Sequence, residues 1–173
     1  PRKRGIPLLR LVAAAQSRLG VRRLEVRILG DGPARRLLAT YAERLGVADQ
    51  VQLVGRVSPE QVRDELARAD VFLAPSRRES FGIAALEART AGVPVLAYDG
   101  TGVTSFVRDG VEGLLAGDDG QLADAVVRIS LDDSLRTRIA EHNRTVAPEQ
   151  SWSHVLPLVE RLYALAATSH ATA

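Results

Sequence analysis

Residues 70–99, DVFLAPSRRESFGIAALEARTAGVPVLAYD, carry the reading that decides the fold. "DVFLAPS" (70–76) and "VPVLAYD" (93–99) are short, apolar and bounded by Pro or Asp, as buried strands are. Between them "FGIAALEARTAG" (81–92) spaces apolar residues three and four apart and ends on Gly, as an amphipathic helix does. Strand, helix and strand in this order demand parallel pairing across a helical crossover.

The same alternation runs outward. "LEVRIL" (24–29), "VQLVG" (51–55) and a weaker "GLLAG" (113–117) read as further strands. Helical spacing marks "PLLRLVAAAQSRLG" (7–20), "PARRLLATYAERLG" (33–46) and "SPEQVRDELARA" (58–69); in the last, Ser58, Pro59 and Gln61 make a helix-start signal. Two more helical patterns cover 119–131 and 133–145. "SWSHVLPLVERLYALAA" (151–167) closes the chain, with Trp152 and Tyr163 expected as anchors and the tail "TSHATA" expected to fray. The prediction is an α/β fold with a doubly wound, Rossmann-like parallel sheet over residues 1–150, and a closing helix and tail of the same domain over 151–173. Ligands in such sheets bind beyond the carboxyl ends of the strands, here the loops after Leu29, Val54, Ala74 and Ala97.

Composition narrows the function. The 173 residues suffice for one core. No cysteine is present, which excludes disulfides, thiol chemistry and Cys-ligated zinc and fits a cytoplasmic setting. The 23 basic and 21 acidic residues are interspersed, so nucleic acid is a poor partner. No apolar run reaches membrane-spanning length. The chain has no Met and opens inside what reads as a strand-to-helix loop, as expected of part of a longer protein. Lys3 is the single lysine among many arginines.

The chemistry concentrates on the loop and helix between the two decisive strands. Ser80, Phe81, Gly82 and Ile83 stand where a helix N-terminus would offer free amides and a partial positive charge, and Gly82 lets an anion approach closely. Glu87 lies one turn beyond Ile83 on the same face, where it would repel phosphate but accept two hydrogen bonds from a ribose diol. Glu79 lies just upstream, on the far side of such a phosphate. Spacing alone allows a plainer alternative: Glu79 paired with Arg77 or Arg78, and Glu87 with Arg89 or a neighbouring helix. "GDGP" (30–33) reads as a turn, the Asp pairs 118–119 and 132–133 as helix caps, and His142, His154 and His170 as surface residues.

Glu79-x7-Glu87, preceded by "APSRRES" and followed by "EARTAGVPVLA", resembles the signature of retaining family 4 type (group 1) glycosyltransferases, which include sucrose synthases and phosphatidylinositol mannosyltransferases. The resemblance covers nearly the whole chain. "RKRG" resembles the family's Lys loop, "ILGDGP" and "VQLVGRV" its second and third strands, "GVTSFVRDGVEGLL" a segment usually carrying Glu where Ser105 stands, and "SWSHV" its C-terminal helix. It implies the C-terminal, donor-binding half of a GT-B architecture, holding a UDP-, GDP- or ADP-linked hexose. Lys3 and the amides around Ser80, Phe81, Gly82 and Ile83 would bind the diphosphate. Glu87 would take the ribose hydroxyls and Glu79 the transferred sugar, while the backbone of Arg56 and Val57 edges the base.

By the same resemblance, Glu79 and Lys3 would serve the transfer itself, with no metal or other cofactor. An Arg that shares the diphosphate in the family would fall before residue 1, and the N-terminal acceptor domain lies outside the match, so the domain alone is expected to transfer little. Membrane association of the intact protein would reside in that other half. Two alternatives stay open: a non-catalytic nucleotide-sugar binder, and half of a nucleotide-sugar epimerase.

Overall fold

A computed structural model describes residues 4–170. Its elements alternate as expected: α1 (Gly5–Gln16), β1 (Val26–Leu29), α2 (Arg35–Arg44), β2 (Val51–Gly55), α3 (Pro59–Arg68), β3 (Phe72–Ala74), α4 (Ile83–Thr90), β4 (Val95–Tyr98), a 3-10 turn (Gly102–Ser105), β5 (Gly113–Ala116), α5 (Asp119–Leu131), α6 (Asp133–Thr145) and α7 (Trp152–His170). All pairings between strands are parallel. The strands fall into two sheets, β1-β2 and β3-β4-β5, with no ladder joining them among the described residues. Hydrophobic pattern located the strands but carried no information about where a ladder breaks.

Strand β4 shows why the apolar run is continuous. Val95 and Ala97 face one side, packing with Leu66 of α3 and with Ala85 and Ala88 of α4. Leu96 and Tyr98 face the other, packing with Leu11 and Ala15 of α1, Leu122 and Ile129 of α5, and Leu135 and Ile139 of α6. A strand covered on both faces has no polar side to alternate with. Each fully buried aliphatic side chain here contributes about 1.5–3 kcal/mol. Helix α1 ties the two sheets together, because it packs on α5 and also on α2, where its Leu9 joins Ala42 and Val47 against Ile28 and Val51.

Local signals fix the helix ends. Ser58 accepts from Gln61 N while the Gln61 side chain accepts from Ser58 N, a full capping box. Asp118 and Asp132 cap α5 and α6 by accepting from Gln121 N and Leu135 N at 2.8 and 2.9 Å. The outer edge of β5 is blunted by side chains: Asp109 accepts from Leu115 N and Gln121 from Gly117 N.

Helix α7 departs from expectation twice. It continues through His170, into the stretch expected to fray. Trp152 and Tyr163, expected as anchors, are 78% and 72% exposed, because the apolar face of α7 finds no cover among the described residues. No described helix is long and apolar enough to cross a membrane.

Candidate functional site

The turn between β3 and α4 is built around Gly82. Its φ is +93°, and a Cβ there would lie 2.8 Å from Val103 Cγ2, so backbone conformation and space both require glycine. Helical bonding starts with Leu86 N donating to Gly82 O at 3.0 Å. The amides of Ile83, Ala84 and Ala85 therefore precede the ladder at the positive end of the helix. Ser80 and Phe81, read as part of the helix start, lie just before it, because the left-handed Gly82 ends the loop and begins α4. The loop is held from below: Gly102 N donates to Glu79 O at 2.8 Å, and the Phe81 ring meets Phe106 edge-on at 5.5 Å. Phe81 and Ile83 nevertheless stay exposed, leaving an apolar rim around the free amides.

Glu79 is half-buried and Glu87 exposed, and neither forms an ion pair among the described residues. The plainer alternative of local pairs is not seen: no ion pair joins Glu79 to Arg77 or Arg78, or Glu87 to Arg89, among the described residues, and Arg77 and Arg89 are engaged elsewhere. Arg77 donates to Asp119 at 2.9 Å and to Gly117 O at 3.3 Å. Arg89 is buried and faces Glu112 at 3.5 Å. Arg56 and Val57 follow β2 directly, and no hydrogen bond or ion pair among the described residues links them to the 79–87 segment. Lys3 lies outside the described residues. Ser105 is exposed, its hydroxyl donating to Gly102 O at 2.7 Å.

A second cluster escaped the sequence reading. The Arg4 guanidinium reaches the carboxyl edge of β3-β4-β5, donating to Tyr98 OH at 2.8 Å and to both Asp119 oxygens at 3.1 and 2.8 Å. Tyr98 OH itself donates to Asp119 at 2.7 Å. The guanidinium carbons of Arg4 and Arg77 lie 5.5 and 4.5 Å from the Tyr98 ring centroid. Hydrogen bonds from Arg4 above all, and from Tyr98 and Arg77, hold the Asp119 carboxyl well below the usual carboxylate range. Burial, with Asp119 alongside, pushes the Tyr98 phenol up. One signal was present: Tyr98 ends a strand whose carboxyl end points at a ligand site by topology alone.

Behind α4 lies a buried charge. Glu112 is 1% exposed and accepts from Arg108 N at 2.8 Å and from the Arg108 guanidinium at 3.2 and 2.5 Å, with His142 Nε2 at 3.1 Å. Burial alone would raise its carboxyl, but the Arg108 and His142 hydrogen bonds outweigh it and bring the group down to about 2. His142, read as a surface residue, is thus part of this network, because α6 packs its inner side on the loop before β5. Asn143 donates from the same helix to Val93 O and Glu112 O. Arg89 joins the network from α4, so the helix that carries Glu87 is anchored through its far side.

A family model described as glycosyl transferases group 1 matches residues 3–146. The D-inositol 3-phosphate glycosyltransferase of Corynebacterium jeikeium is 34% identical over 163 residues, covering 90% of this chain and 39% of that protein. WaaG, a glycosyltransferase involved in lipopolysaccharide biosynthesis, superposes with a TM-score of 0.76 at 27% identity, over 92% of this chain and 42% of that one. Anabaena Alr3699/HepE, solved in complex with UDP, superposes with a TM-score of 0.75 at 22% identity, over 90% of this chain and 44% of that one. The chain thus spans about two fifths of the length of these proteins.

Proposed function

Because the chain belongs to the group 1 glycosyl transferases, we propose that it is the donor-binding half of a retaining glycosyltransferase, holding a nucleotide diphosphate hexose for transfer to an acceptor bound by an N-terminal domain. The observation that carries this reading is the pair Glu79 and Glu87, without ion-pair partners among the described residues on either side of an amide-lined turn while their neighbours Arg77 and Arg89 are engaged elsewhere. For Glu79, which is half-buried, a carboxylate without a cation is costly unless donors such as a ligand's hydroxyls are supplied, and the exposed Glu87 is free to accept from a ligand.

In this reading the amides of Gly82, Ile83 and Ala84 receive the diphosphate, and the apolar rim of Phe81 and Ile83 shields it from water. Glu87 accepts from the ribose diol, Glu79 from the hexose hydroxyls, and the backbone of Arg56 and Val57 borders the base. Charge growing on the departing diphosphate is met by Lys3 and by the helix amides, fixed dipoles that need no reorganisation and no metal. The acceptor attacks on the face that the diphosphate leaves, so anomeric configuration is retained. HepE is a UDP-bound neighbour in fold, which makes UDP one of three nucleotides to try, beside GDP and ADP. The Cys-free composition favours a cytoplasmic setting.

Calorimetric titration of the chain with UDP, GDP and ADP tests the proposal. One nucleotide is expected to bind, and Glu87→Ala to weaken it by roughly tenfold or more, the value of hydrogen bonds to a charged group. Binding of none, or binding indifferent to Glu87, overturns the reading. Turnover by residues 1–173 alone would contradict the need for an acceptor domain.

A further inference from the structure

We propose that Asp119 is a positioning residue that fastens together two donor-contacting segments, the entry to α1 through Arg4 and the loop bearing Glu79 through Arg77. This inference rests on the donor-site reading above. Three elements meet on one carboxylate: Arg4 before α1, Arg77 in the loop after β3, and Tyr98 at the end of β4. The two guanidinium groups share one aromatic ring, where their like charges repel without an anion between them.

Neither capping nor the strength of the Arg77 pair accounts for this arrangement. Asp118 already caps α5. Asp119 and Arg77 have side chains 46% and 44% exposed, and ion pairs so exposed contribute little to folding. The consequence is geometric. Within loop 75–82, Arg77 is bonded to Asp119 and Gly117 O, while Glu79 O accepts from Gly102 N and the Phe81 ring meets Phe106. Loss of the first tie loosens the Arg77 side of the loop, and with it the position of Glu79 and Ser80. Arg4 is the one non-glycine residue with positive φ among those described, at 43°, and its bonds to Asp119 and Tyr98 hold that conformation where the chain arrives from Lys3. Since the Arg4 bonds keep the Asp119 carboxyl well below its usual range, the tie stays charged throughout the neutral and mildly acid range.

Two opposite consequences separate this role from a counter-anion that competes with phosphate. Asp119→Asn preserves shape and removes charge. A positioning role predicts that affinity for the nucleoside diphosphate falls roughly tenfold, as expected for loss of charge-assisted bonds, while affinity for the nucleoside of the same base is unchanged. Tighter or unaltered diphosphate binding overturns it, and so does an equal loss for both ligands, which would mark a general structural defect. Hydrogen exchange of the ligand-free chain provides a readout independent of any nucleotide. The Leu8 amide, bonded to Arg4 O, and the Gly102 amide, bonded to Glu79 O, are expected to exchange faster in Asp119→Asn, with 122–129 unchanged; unchanged exchange at both overturns the tie. If the unmodified chain binds none of UDP, GDP and ADP, the donor reading fails and exchange alone decides on Asp119.

Discussion

Glu112→Ala is expected to destabilise the chain by about 3–5 kcal/mol, the cost of leaving a buried charge without its partner. The stranded group is Arg89, 5% exposed, whose Nε has no acceptor and whose only ion pair among the described residues is with Glu112. Burial lowers the Arg89 pKa, but an arginine side chain stays protonated in proteins, so the guanidinium cannot escape by losing its proton. Replacing both Arg89 and Glu112 with leucine is expected to recover much of the loss, since the buried charge goes with its partner. Urea unfolding of the two variants beside the unmodified chain gives the measurement. A Glu112→Ala loss below about 1 kcal/mol, the range of an exposed pair, would mean the network is solvated and not structural.

The same residue sets an acid limit. The folded-state value of about 2 lies below the ordinary 4.5, so the stabilisation Glu112 provides is complete above about pH 4.5 and fades as pH falls toward 2. Glu112→Gln should flatten this part of the stability profile.

Gly102→Ala is the second change with a large expected effect, this time on the ligand. A Cβ at Gly102 would lie 2.0 Å from Ser80 O and 2.5 Å from Phe81 N, and both obstacles are backbone. The loop must move, and with it the Gly102 N to Glu79 O bond that sets its height. Displacing positioning groups by about 1 Å costs of order a hundredfold in the function they serve, so nucleotide affinity should fall by that order, with a folding cost of about 1–3 kcal/mol. Gly100→Ala is the control. It has φ +70° and open space around a Cβ, so it carries backbone strain without a clash and should leave binding nearly intact. Equal affinity of Gly102→Ala and the unmodified chain would show that the 79–82 loop does not contact the ligand.

Much of this architecture was legible in the sequence because it depends on local pattern. The run VPVLAYD identified β4 through its lack of any polar face, and Ser58-Pro59-x-Gln61 located the start of α3 to the residue. Long-range choices left no such trace. Asp119 looked like a cap beside Asp118, because its partner Arg4 is 115 residues away and only the fold brings them together. Glu112 sat inside an apolar stretch with nothing to say that Arg89, Arg108 and His142 would converge on it. Trp152 and Tyr163 obeyed an amphipathic pattern, which says that a face is apolar but not what covers it.

At the site the balance is similar. Glu79, Gly82 and Glu87 were singled out as candidates, the two glutamates chiefly through the family resemblance, and among the described residues neither glutamate has an ion-pair partner while Arg77 and Arg89 serve Asp119 and Glu112. Arg4, adjacent to the singled-out Lys3, was passed over because loop residues give no periodicity from which to read direction.

The most direct measurement is the backbone amide spectrum of the isotopically labelled chain, recorded during titration with UDP, GDP and ADP. The donor account predicts that one nucleotide shifts the amides of Phe81, Gly82, Ile83 and Ala84 together, in a saturable way, with Glu87 and Arg56 following. Saturable shifts confined to another surface, or none in 79–87 with any of the three, would contradict it.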